Sequence, residues 1–227
     1  MSQGHVQVEE GRVVNCIEDH DVVFDGNGPR IAALADPSNH RSWYARSRAR
    51  VATGLLFACR GIPMLFMGEE ILEDKQWRDD TNFHANLLIW WDGLNSDKAM
   101  QDYLQFCRDL VWLRRDNAAF RSEALRVAAR NSIDRVISIH RWIDGVDQDV
   151  LVVANLQEMN RFGYRIDFPD SGRWREIFNS DFYDQFPNPQ TVGNGGSIDS
   201  EAGIGCDGMP SSAAINLPAN GFIVFAR

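Results

Sequence analysis

The run Glu18-Asp19-His20-Asp21 sets three carboxylates and an imidazole in succession, directly behind a β-branched apolar stretch from Val13 to Ile17. An apolar run that stops so abruptly reads as a buried strand delivering polar groups at its C-terminal end. In a parallel barrel that end is where side chains do chemistry, with hydrogen-bonding and charged groups aimed at a substrate. A second run repeats the design: Met64 to Met67 follows Pro63 and is closed by Gly68-Glu69-Glu70. The structural alternative for His20 and Asp21 is a cap on the following turn that satisfies backbone donors. Glu70 reads as a cap of a following helix or a partner of an Arg, and is given no chemical role.

Two such strands need a connection, and the chain supplies one. The segment from Phe24 to Asn39 is rich in Gly, Pro, Asp and Asn and is expected to be a long loop. From Ser42, a plausible N-cap, Ala45, Ala49, Ala52, Leu55, Leu56 and Cys59 recur at helical spacing until Gly61. Arg41, Arg46, Arg48 and Arg50 are read as a solvated helix face, with no ligand assigned. Strand, helix, strand implies a parallel crossover. After a loop over Asp74 to Asn86, a second helix places Met100, Tyr103, Leu104, Cys107, Leu110 and Val111 on one face, with Asp97 or Ser96 as its cap.

Beyond Asn117 the period changes to two. Val136 to His140, Val150 to Ala154, Tyr164 to Phe168, Trp174 to Phe178 and Phe222 to Phe225 read as strands of an antiparallel β-domain. Pro187 to Gly208, with Gly193, Gly195 and Gly196, is expected to be an irregular loop. The expected division is 1–117 and 118–227.

Composition narrows the partners. The 227 residues carry a formal net charge of -9, which argues against nucleic acid, since phosphate neutralisation needs clustered Lys and Arg. Cys16, Cys59, Cys107 and Cys206 form no C-x-x-C pair and are expected to be reduced, most of them as small hydrophobes within apolar runs. No charged-then-apolar leader and no bilayer-length apolar stretch is present, so the expectation is a cytoplasmic protein without membrane contact.

Asn15-Cys16-Ile17-Glu18-Asp19-His20-Asp21 resembles the His-Asp motif after the seventh barrel strand of the α-amylase family, glycoside hydrolase family 13. Ser42 to Ala52, then Gly61-Ile62-Pro63 and Gly68-Glu69-Glu70, resemble its seventh helix and eighth strand in the right order. Leu72-Glu73-Asp74-Lys75-Gln76-Trp77 is similar to the 1,4-α-glucan branching enzymes of the family, and Pro218 to Phe222 to the close of its C-terminal β-sandwich. Asp19 stands where the family commonly has Asn, and Val22 where branching enzymes commonly have Glu. The resemblance implies an α/β plus all-β fold: the seventh and eighth strand-helix units of a (β/α)8 TIM barrel, then an antiparallel β-sandwich.

It also implies roles. His20 would hydrogen-bond sugar hydroxyls, and Asp21 would grip them and steady the cationic transition state, since glycosidic cleavage builds positive charge on the sugar. The family's nucleophile and acid/base come from its fourth and fifth strands, which find no match here. Gly163-Tyr164-Arg165-Ile166-Asp167 imitates the nucleophile pattern, but it lies in the β-domain, where Arg165 and Asp167 are expected to face solvent. The function implied is a C-terminal fragment of an α-glucan-processing enzyme, of branching type, inactive alone. The alternatives are an amylase-type hydrolase fragment and a non-catalytic glucan-binding module using Trp77, Trp90 and Trp91. Against the module stands the expectation that Trp90 and Trp91 are core anchors, because Leu87-Leu88-Ile89 precedes them. Expected partners are α-glucans (glycogen, amylose, maltooligosaccharide) and a polypeptide supplying the missing strands. No metal or other cofactor is expected, because no Asp/Asn cluster has calcium-loop spacing.

Overall fold

The structure, a computed structural model, describes residues 13–80, 82–203, 205 and 207–227. Strand β1 (Val14–Cys16) and strand β2 (Ile62–Met64) pair in parallel, with Val14 opposite Ile62 and Cys16 opposite Met64. Helix α1 (Ile31–Ala35) and helix α2 (Trp43–Ala58) lie between them in the chain. Among the described residues the parallel sheet has these two strands and no more. The loop expected over Phe24 to Asn39 contains α1, whose five residues are too few to show a period. The strand expected to reach Met67 stops at Met64.

Helix α2 begins where Ser42 accepts a hydrogen bond from Ala45 N at 3.1 Å. It ends at Cys59, and the chain turns at Gly61 with φ +88°, where a Cβ would lie 2.4 Å from the carbonyl of Val13, just before β1. Glycine is therefore needed at Gly61 both for its dihedral and for the close approach of the strand. Helix α3 (Lys98–Asp116) is capped by Asp97, which accepts from Ala99 N at 2.9 Å, and carries Arg114 and Arg115 in its last turn, where they complement the helix dipole.

The remaining strands are β3 (Leu125–Asn131), β4 (Val136–Ile143), β5 (Val146–Asn155), β6 (Arg161–Phe168), β7 (Gly172–Asn179), β8 (Ser197–Ala202), β9 (Ser211–Leu217) and β10 (Gly221–Ala226). They form one antiparallel sheet in the order β3-β4-β5-β10-β7-β8-β9-β6. Its ends, β3 and β6, approach one another, so the sheet curls into a barrel-like sandwich. Inside lie Leu151, Val153, Ile166, Phe168, Trp174, Ile215, Ile223 and Phe225. The outer faces of β4, β5 and β10 form a second core with the helices, joining Ile139, Val152, Phe222 and Val224 to Phe57, Tyr103, Phe106 and Leu110. Strands β5 and β10 are thus buried on both faces, which is why Val150-Leu151-Val152-Val153-Ala154 and Phe222-Ile223-Val224-Phe225 are unbroken apolar runs.

Helix α2 meets β10 where a Cβ on Gly54 would stand 2.6 Å from the Phe222 ring. At its other end Arg141 of β4 is fully buried, and its guanidinium donates to the carbonyls of Ala58, Cys59, Phe120, Ser122 and Ala124 at 2.5 to 3.1 Å. All five guanidinium donors are used, none on a carboxylate. The basic helix face is not wholly solvated as expected: Arg46 and Arg50 pair with Asp184 at 3.0 and 3.3 Å, and Arg50 is buried. The irregular loop expected over Pro187 to Gly208 contains β8. Cys16, Cys59 and Cys107 are free, and of these Cys107 alone is buried, whereas Cys206 lies outside the described residues. No described helix is long and apolar enough to cross a membrane.

Candidate functional site

His20 and Asp21 stand on the turn just past β1, and both are exposed. Their side chains lie 3.5 Å apart, Nε2 to Oδ1. Asp19 shapes the turn, since its Oδ1 accepts from Asp21 N at 3.0 Å and Val22 N at 2.7 Å. This is an Asx cap, the role the structural alternative gave to the pair, and Asp19 fills it, leaving Asp21 free of backbone duty. The loop after β1 is zipped to the loop after β2: Trp77 N donates to Val23 O at 2.8 Å and Asp25 N to Trp77 O at 2.9 Å. Trp77 becomes the hub of an aromatic floor, with the rings of His20, Phe24 and Phe66 edge-on at 6.2, 6.1 and 6.0 Å.

Beneath that floor lies a buried charged layer. Glu18 faces Arg30, Oε2 to Nε 2.9 Å, and accepts from Ile31 N at 2.5 Å. Arg30 donates to Met67 O at 2.8 Å, and its guanidinium sits 5.5 Å over the Phe66 ring. Glu69, almost fully buried, accepts from Phe66 N at 3.1 Å through Oε2, while Oε1 has no partner. Burial, and then the negative charge of Glu18, push its pKa up to about 8, so it is protonated at neutral pH. Burial raises Glu18 as well, against the pull of Arg30. Glu73, also buried, accepts from Asp74 N, Lys75 N and Trp90 N at 3.0, 3.1 and 2.8 Å.

A carboxylate set at a sugar's anomeric carbon stabilises positive charge, and an adjacent imidazole can bind hydroxyls. Oxygens of Asp19 and Asp21 approach within 4.8 Å, close to the spacing of a retaining pair, but Asp19 is committed to its turn. Among the described residues, Asp19, His20 and Asp21 are also the one trio whose ligating atoms could reach a single cation. The trio lies on an open turn with Asp19 already engaged, so no cation cage is preformed.

Sequence reasoning brought His20 and Asp21 to a strand end but did not set Trp77 beside them, and it missed Arg30, Glu69 and Glu73. A lone Arg in a polar loop carries no periodic signal, and Glu69 shared an acidic doublet with the half-buried Glu70. Asp167 does not face solvent: it is buried and accepts from Asp207 N at 2.6 Å and Met209 N at 3.0 Å, holding that loop to β6. Trp90 and Trp91 are not core anchors, being 45% and 54% exposed, because the chain there runs as short helical turns over Ala85–Leu87 and Trp91–Asn95.

Residues 127–227 match the alpha amylase C-terminal all-beta domain. The chain is 30% identical over 202 residues to the 1,4-alpha-glucan branching enzyme GlgB of Cereibacter sphaeroides, covering 88% of this chain and 26% of the relative. It is 30% identical over 213 residues to GlgB of Burkholderia thailandensis, covering 91% and 24%. The chain thus spans about a quarter of the length of these curated relatives. Its fold is shared with the alpha-amylase of Geobacillus thermoleovorans (TM-score 0.60, 17% identity, 95% of this chain and 38% of that one). The alpha-amylase from H. orenii is similar (TM-score 0.58, 17% identity, 94% and 39%).

Proposed function

We propose that this chain forms the C-terminal part of an α-glucan-processing enzyme of the branching type, which cuts an α-1,4 chain and passes it to a 6-hydroxyl. The observation that carries this reading is the His20-Asp21 pair, exposed just past β1 in a chain similar to branching enzymes over 88% of its length. In this reading β1, α2, β2 and α3 are the seventh and eighth strand-helix units of a (β/α)8 barrel, and residues 118–227 are the β-sandwich that follows. Asp21 steadies the oxocarbenium-like transition state and His20 binds hydroxyls of the same sugar, while the aromatic floor under Trp77 holds the turn in place. The nucleophile and acid/base belong to strands carried on another segment or polypeptide. Substrates are glycogen, amylose and maltooligosaccharides, and the protein works in the cytoplasm.

A second reading, a non-catalytic glucan-binding module, is favoured by the exposure of Trp90 and Trp91 beside the buried Glu73. Incubation with amylose, following reducing ends and α-1,6 linkages, separates the two. The chain alone is expected to be silent. Turnover is expected when a polypeptide carrying the preceding barrel strands is added, and Asp21→Asn should lower it on the order of 10²- to 10³-fold, the effect of losing one transition-state electrostatic group. Reconstituted turnover that Asp21→Asn leaves intact would sink the proposed role, and glucan binding without turnover in any mixture would favour the module.

A further inference from the structure

Away from the β1 turn, a cavity of about 550 Å³ opens between the first turn of α2 and the segment after β7. Trp43, Asp181, Asp184, Gln185, Asn188 and Gln190 line it. Its frame is locked. Asp184 Oδ1 is held by Arg46 and Arg50 at 3.0 and 3.3 Å. Asp181 Oδ2 accepts from Val192 N at 2.9 Å, and Asn188 donates to Asp181 O at 3.1 Å while accepting from Gln190 N at 2.9 Å. Gln185 holds φ +59°, a left-handed backbone that a non-glycine residue adopts only where its surroundings impose it. Within the described chain, Asp184 Oδ2 and the side-chain amides of Gln185 and Gln190 have no hydrogen-bond partner, so they remain available to a ligand.

The chemistry selects that ligand. Anions are disfavoured, because the free polar groups include carboxylate oxygens and the basic side chains behind them are already paired. A metal cation is disfavoured too, since two guanidiniums flank Asp184. A wall of amides and carboxylates with one indole instead suits a neutral polyol, whose hydroxyls donate and accept while the C–H face of a ring lies on the aromatic. We infer that this cavity is a second carbohydrate site, separate from His20 and Asp21, holding a neutral oligosaccharide on Trp43, Asp184, Gln185 and Gln190. That the oligosaccharide is an α-glucan rests on the function proposed above.

Native affinity electrophoresis of the full chain tests this, with amylopectin in one gel and hydroxyethylcellulose in another. The amylopectin gel should retard the wild type, and Trp43→Ala and Gln190→Ala should each need about five-fold or more polysaccharide for equal retardation, as expected for one lost contact. Ile133→Ala, on the exposed turn between β3 and β4 and outside the cavity lining, should run as wild type. Gln190 is exposed and outside the core, so its variant reports the site even if Trp43→Ala loosens α2. The inference falls if both cavity variants match wild type, if retardation depends on Trp91 or Asp21 instead, or if neither gel retards the wild type. Retardation that needs Trp43 and Gln190 but occurs only with hydroxyethylcellulose would uphold the site and overturn the α-glucan reading.

Discussion

Glu69 has its carboxyl pushed up to about 8 by burial and by Glu18, and carries an oxygen without a partner. An unfolded glutamate releases its proton near pH 4.3. Between those values the folded chain holds a proton that the unfolded chain has lost, so stability is full below the lower value and falls as pH rises towards 8. Glu69→Gln mimics the protonated form. Thermal melts across that window should show wild type weakening towards pH 8 and the variant holding level, and parallel curves would mean that Glu69 is charged in the folded chain. Arg141 yields a second prediction. Lysine offers three donors where five carbonyls wait, so Arg141→Lys should cost roughly 3 kcal/mol by urea unfolding. Neither residue was legible in the sequence, because burial of a charge depends on what arrives from distant segments, here Glu18 under Glu69 and the end of α2 under Arg141.

At the scale of elements, α2 and α3 were plain from their N-caps and periodic apolar faces; β5 and β10 were legible as strands, but under a two-residue alternation, whereas both are unbroken apolar runs buried on both faces. The elements that escaped notice lack any such contrast. Strand β8 reads Ser-Ile-Asp-Ser-Glu-Ala, β9 opens on Ser-Ser-Ala-Ala, and α1 is barely one turn. Their structure is dictated by pairing partners, such as Trp174 opposite Ile198, and not by local preference. The seam between α2 and β10 makes its own prediction. Gly54→Ala would drive a methyl group into the Phe222 ring, and such overpacking should destabilise the chain by about 1–3 kcal/mol. A loss below about 0.5 kcal/mol in chemical unfolding would show that Phe222 can step aside.

For the whole molecule, the shared core means that helices and sheet should unfold together, whereas the three-residue pairing of β1 with β2 lies at the periphery. Amide hydrogen exchange should be slowest in β5 and β10 and fast in β1 and β2. Equal protection throughout would contradict this picture. Cutting the chain to residues 118–227 should strip cover from Phe222, Val224 and Ile139 and yield a product that binds hydrophobic dyes or precipitates. The two fastenings of α2 also answer differently to ionic strength. Arg46 and Arg50 are tied to a carboxylate, an attraction that dissolved ions weaken wherever water reaches it, whereas Arg141 grips only uncharged oxygens deep in the interior. In brine, therefore, the helix should loosen from the loop after β7 while its far end stays anchored, so salinity would slacken one clasp and spare the other.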